Sequence, residues 1–305
     1  MNALPVMVKR EFWEHRSLWV TPLGLGAVLL FSTVFFGRFR LDIFGGLPDA
    51  AFRNSGPLAL FQLGLIGIFV PFEIAAAILA TAYLLDCLYA DRRDRSILFW
   101  KSMPVSDTAT VLVKFLVGLV LVPLLSFAVA ALTSVLVAAL LALRMNLFNP
   151  VPGGGNGVPL WDTWTWLSTQ GGMLYELVAG LLWYTPYAAY LLLVSAWARR
   201  SVYAWAFIPP VLLALVERMV FGTHLIGQLV QQGYDEAARL AFRINQQIDI
   251  NLGGPRNLRP MRERFLPQPP DPTQLLSDPH LWFGLVLAGL MLWGAVLLRR
   301  YRDDS

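Results

Sequence analysis

The sequence predicts an all-α, polytopic membrane protein with six transmembrane helices, and three observations carry that expectation. Of 305 residues, 56% are hydrophobic and only 14% charged, whereas a water-facing domain carries about 25% charged residues. Mean hydropathy is +0.56. Apolar stretches of about 20 residues, long enough to cross a hydrocarbon layer of about 30 Å, recur from one end of the chain to the other.

Taken in order, residues 1–17 read as an interfacial amphipathic helix on the cytoplasmic surface. Leu4, Met7, Phe12 and Trp13 are its apolar residues, and Lys9, Arg10, Glu11, Glu14 and Arg16 its polar ones. Residues 18–305 make up the six-span domain. The first span covers about 18–36 and the second about 58–86, the latter interrupted by Pro71 and Glu73. The third covers about 110–143, which at 1.5 Å per residue exceeds one crossing. Pro123 is read there as a kink in one long tilted helix, with a break into two half-spans as the alternative. The fourth covers about 173–197 with Pro186, the fifth about 203–221 with Pro209-Pro210, and the sixth about 280–298.

Between spans three and four, a turn-rich tract from Pro150 to Gly157 precedes Trp161, Trp164 and Trp166, a cluster suited to the headgroup layer. Between spans five and six, residues 222–279 begin helix-like, with Leu225, Ile226, Leu229 and Val230 at three-to-four spacing. They turn proline-rich from Pro267. This segment is expected outside the membrane and partly helical.

Lysine and arginine in the short loops set the orientation. With the N-terminus inside, Lys9, Arg10, Arg16, Arg92, Arg93, Arg95, Lys101, Arg199, Arg200, Arg299, Arg300 and Arg302 are cytoplasmic. Arg38, Arg40, Arg53 and Arg144 are outside, a count of 12 against 4. Both termini are therefore expected in the cytoplasm. No cleavable leader pattern precedes the first span. Basic residues cluster at span ends rather than along one face, which argues against a nucleic-acid partner.

Catalytic chemistry finds no foothold. The chain has no GxxxxGK[ST], HExxH or GxSxG motif. His15, His224 and His280 are spread over both expected membrane faces, so no metal site is built from them. Cys87, the single cysteine, excludes an intrachain disulfide and reads as a small apolar filler. Of the charges inside spans, Lys114 is expected to snorkel to the interface. Glu73 either lines a path or dimer seam, or pairs with a neighbouring helix.

The most informative stretch joins spans two and three, within a cytoplasmic segment at 87–107. Asp91, Arg92, Arg93, Asp94 and Arg95 lead through Ser96 into Ile97, Leu98, Phe99, Trp100 and Lys101, closed by Met103-Pro104. Ser106 and Asp107 then offer a helix cap. A positive-inside anchor explains the arginines but not the four large apolar residues, which call for lipid headgroups or a partner.

This stretch, the Lys9-Arg10-Glu11-Phe12 step and the six-span layout together resemble the type-2 ABC transporter permeases. The resemblance covers the whole chain in layout. It implies that residues 91–101 form a coupling helix docking on a separately encoded ATP-binding cassette subunit, present in two copies. It also implies that residues 222–279 carry extracellular helices. ATP and magnesium would sit on the partner, leaving this chain without a cofactor of its own. The expected setting is a bacterial inner membrane and the expected role export. A two-fold assembly, most simply a homodimer, would bring spans two and five to the axis. Glu73 and Ala76 would then lie at the pathway or seam with Pro209, Pro210 and Val211, helped by small residues such as Gly64, Gly67 and Ala80. Two other readings stand beside it: a membrane enzyme or assembly factor with no pathway, and a half-size secondary carrier, since Asp91 to Arg95 also resembles the Asp-Arg loop of major-facilitator carriers.

Overall fold

The computed structural model describes residues 3–36, 57–94, 106–148, 161–220 and 276–301. Arg95, Ile97, Leu98, Phe99, Trp100, Lys101 and nearly all of 222–279 lie outside the described residues. Within them the chain is all helical. Its elements are α1 (Ala3–Glu14), α2 (Ser17–Phe36), α3 (Pro57–Arg93), α4 (Asp107–Leu116), α5 (Val122–Phe148), α6 (Thr163–Trp197), α7 (Val202–Val220) and α8 (Pro279–Tyr301). A π-helical turn, Val117–Leu121, joins α4 to α5.

Five helices are long and apolar enough to cross a membrane: α2, α3, the continuous α4–α5 rod, α6 and α8. This is the architecture of a multi-pass membrane protein. The expected fifth span coincides with α7, whose apolar part, Val202–Glu217, is shorter than the other five. Among the described residues, length and composition thus support five crossings, and the expected sixth is not tested by them.

Local chemistry sets the helix starts. The Ser106 side chain accepts from Ala109 N at 3.2 Å and begins α4. Asp162 accepts from Thr165 N at 2.9 Å and begins α6. Hydrogen bonding from Thr165 holds the Asp162 carboxyl below the usual carboxylate range. Trp164 and Trp166 thus belong to the first turn of a helix that starts at Thr163, not to a loop ending near 173. Similarly α3 does not stop near 86; it carries Cys87, Asp91, Arg92 and Arg93 before ending.

The third expected span is one continuous rod, as its length suggested, and its irregularity is specific. Pro123 has no N–H to give the carbonyl four residues earlier, and just before it Val122 N–H reaches back to Val117 O, a π-type bond. Gly118 lies in that turn against α3: a Cβ there would come within 2.7 Å of Leu84. Glycine is required for that approach.

α3 is the central helix, packed on α2, α5 and α6, while α6 and α8 form the most extensive pair. Small residues allow the latter. Ala188, Ala189, Ala288 and Ala295 are buried, and a Cβ on Gly284 would meet Pro186 Cγ at 3.0 Å. Pro186 faces Gly284, and Leu193 faces Gly294, so α6 and α8 run in the same direction. Two apolar clusters form the core. One gathers Leu84, Cys87, Val111, Leu191 and Ala295 near α1; the other gathers Ile68, Phe69, Phe72, Ala130, Val137 and Met173 towards the opposite end.

Candidate functional site: a buried ion network beside α1

Four helices bring charge to one place at the α1 end of the bundle. On α4, the stripe Asp107, Thr110, Val111, Lys114 follows the three-to-four spacing of a packed face. On α3, Tyr83, Cys87 and Asp91 lie one turn apart. Ala288, Ala295 and Arg299 share a face of α8, and Glu11 lies one turn beyond buried Met7 on α1. Each stripe is apolar except where it meets the others.

Lys114 is the hub and is only 2% exposed. Its Nζ stands 3.1 Å from Glu11 Oε1 and 3.4 Å from Asp91 Oδ1, and it donates to Cys87 O at 3.0 Å. Asp91 Oδ2 accepts from Arg299 Nη1 at 2.9 Å, and Arg299 Nε donates to Asp107 Oδ1 at 3.2 Å. Tyr83 OH donates to Glu11 Oε2 at 2.8 Å. His15 packs edge-on to Tyr83 with its Nδ1 3.8 Å from Glu11 Oε2.

Two expectations are corrected here. Lys114 does not snorkel: its ammonium is turned inward because two carboxylates and a carbonyl answer it more fully than the interface would. Glu11 belongs to the packed face of α1 rather than to its polar surface, while Trp13 is 72% exposed. Taking these ions from water is costly, and the cost is offset because the deeply buried charges, Lys114, Glu11, Asp91 and Arg299, each have more than one partner.

The candidate residues of the coupling stretch separate at once. Asp91 is inside the network. Arg92 donates to the carbonyls of Ser195 and Ala198, closing the exposed end of α6, and Ser195 Oγ accepts from Leu88 N and Tyr89 N. Arg93 faces solvent, with Asp94 at 3.0 Å and Asp86 at 3.9 Å. Of the interfacial set, Arg10 pairs with Glu14, whereas Lys9 and Arg16 are exposed.

The seam candidates also divide. Ala76 is 4% exposed and packs inside this chain, while Ile74, Ala77 and Ile78 on the same helix face outward. Glu73 is half-buried, with no hydrogen bond or ion pair among the described residues. Val211 is 58% exposed, and Pro209 and Pro210 are half-buried. The two prolines free the carbonyls of Trp205 and Ala206, and the Tyr190 hydroxyl reaches both, at 3.1 and 3.2 Å. That need is met within the chain.

Sequence reasoning missed the network because its members are remote in sequence. A signal was present: Asp91, Lys114 and Arg299 each occupy a position where the apolar stripe of the helix calls for an apolar residue. Glu11, Glu14 and His15 bring one ligand atom each within 4.8 Å of one another. Glu11 is already held by Lys114 and Tyr83, and Glu14 by Arg10, so this trio is a structural knot. Compared with known proteins, the chain matches no family model, no curated protein and no solved structure.

Proposed function

We propose that this chain is the transmembrane permease subunit of an ATP-driven exporter of the type-2 ABC kind. It forms the substrate pathway as a two-fold pair, most simply a homodimer, and couples to two copies of a separate ATP-binding subunit that holds ATP and magnesium. The observation that supports this best is where the network sits. It fastens the chain just before residues 95–105, through Asp91, where Arg92 also ties α3 to the end of α6, and just after them, through Asp107. A displacement of that segment is passed to α1, α3, α4, α6 and α8 together. A plain connection between two spans needs no such fastening.

The parallel course of α6 and α8 supports a sixth crossing. Chain between two parallel spans has to return across the layer, and α7 leaves from the correct end with 19 residues, about 28 Å of helix. On this reading the α1 end is cytoplasmic, both termini lie inside, and the membrane is the bacterial inner membrane. The outward residues Ile74, Ala77, Ile78 and Val211 carry the two-fold seam, with Glu73 beside it.

Co-purification tests the reading. A tagged chain is expected to bring an ATP-hydrolysing subunit with it. Arg93→Glu combined with Arg95→Glu is expected to lose that subunit while still inserting in the membrane. A chain that is purified intact from its native membrane without any ATPase would sink the proposal.

A further inference from the structure

The internal pairing of α1 has a consequence for its outer face. Both acids of the helix are spent: Glu11 on Lys114 and Tyr83, and Glu14 on Arg10, whose Nε donates to it at 2.7 Å. Lys9 and Arg16 are left exposed with no carboxylate partner among the described residues. Lys9 Nζ stands 5.4 Å from the centroid of the Trp13 ring. Val6 is 67% and Trp13 72% exposed beside these cations. The surface is therefore apolar and doubly basic at once.

Its depth is fixed by connectivity. Only His15 and Arg16 separate Glu14 from Ser17, where the span α2 begins. Trp19, on the first turn of α2, is 40% exposed. A helix held this closely to a span's end, by the network on one side and a two-residue link on the other, lies at headgroup level. There an indole with its neighbouring ammonium fits the acyl–headgroup boundary, and the cations meet phosphate.

We infer that the Val6–Lys9–Trp13 face of α1, together with Arg16 in the link that follows it, is a binding surface for anionic phospholipid headgroups. This is independent of the exporter reading, because it needs only the span and the helix. The attraction is electrostatic in part, about fivefold in affinity per cation, and it weakens as salt rises.

The test uses the full-length protein in mixed bilayers and reads quenching of tryptophan by brominated lipids. Brominated phosphatidylglycerol is expected to quench more strongly than brominated phosphatidylcholine. That preference should fall in Lys9→Gln/Arg16→Gln, in 0.5 M salt (a concentration with a Debye length of only about 4 Å), and in Trp13→Phe. Both exposed substitutions leave the network untouched, and an unchanged melting temperature checks this. Equal quenching by the two lipids in the unaltered protein would overturn the inference. So would a preference that survives the double substitution. Loss of a protein partner from Lys9→Gln/Arg16→Gln with no change in lipid preference would assign the face to that partner instead.

Discussion

Lys114 illustrates what a single buried charge costs and what it does. Its ammonium is held by Glu11, Asp91 and the Cys87 carbonyl, so removing it takes a buried counter-ion from two carboxylates at once. Lys114→Met is expected to destabilise the protein by about 3–5 kcal/mol, the usual result of breaking a buried pair. Adding Glu11→Gln to it should restore part of that loss, giving a coupling of about 0.5–3 kcal/mol in a double-mutant cycle. Thermal unfolding in detergent measures both; strict additivity would show that the pair does not interact. None of this could be read from hydropathy, which treats Lys114 as one charge near an interface. The partners of Lys114 come from 23 and 103 residues away. A charge on an apolar stripe was legible; its counter-ions were not.

Elements fared differently, since spans announce themselves by apolar length alone. α2, α6 and α8 were legible as spans, and α4–α5 as one rod. Their ends were not, because helices run beyond the apolar stretch wherever capping and packing continue to reward them. α3 reaches Arg93 for that reason, since Asp91 and Arg92 have partners to meet. The proline pair of α7 was legible as a source of free carbonyls, but its solution, Tyr190, lay on another helix. Tyr190→Phe leaves the carbonyls of Trp205 and Ala206 without their donor. It is expected to loosen α7 by about 1–3 kcal/mol, seen as faster amide exchange along Val202–Val220 with the other helices unchanged. The turn ahead of α7 also holds Ser201 at φ 52°. Ser201→Gly should therefore be tolerated or mildly stabilising, because glycine adopts that conformation freely, and a fall in melting temperature would contradict it.

For the molecule as a whole, direction is the property that decides most. α6 and α8 run the same way, and so the ends of the bundle can be told apart without reference to charge. Single cysteines at Trp161 and Leu276, both partly exposed, are expected to react with an impermeant thiol reagent from one membrane face. A cysteine at Arg200 should react only from the other; native Cys87 is buried and stays silent. Reaction of Leu276 from the same side as Arg200, with Trp161 still reacting from the other, would remove the sixth crossing, and with it the even number of spans that puts both termini on one side.

The π turn at Val117–Leu121 offsets the register of the two halves of the α4–α5 rod. One residue more than an α-turn is wound into it, so the two halves of the rod are offset by about 100° relative to an unbroken α-helix. Were the turn to relax to α geometry, the lower half would swivel by that angle, and Lys114, one turn below, would leave Glu11 and Asp91. A relaxed turn and an intact network are therefore mutually exclusive. Deleting Val120 imitates the relaxed form. The expected product is a helix of full continuity whose Lys114 has become reactive towards amine reagents.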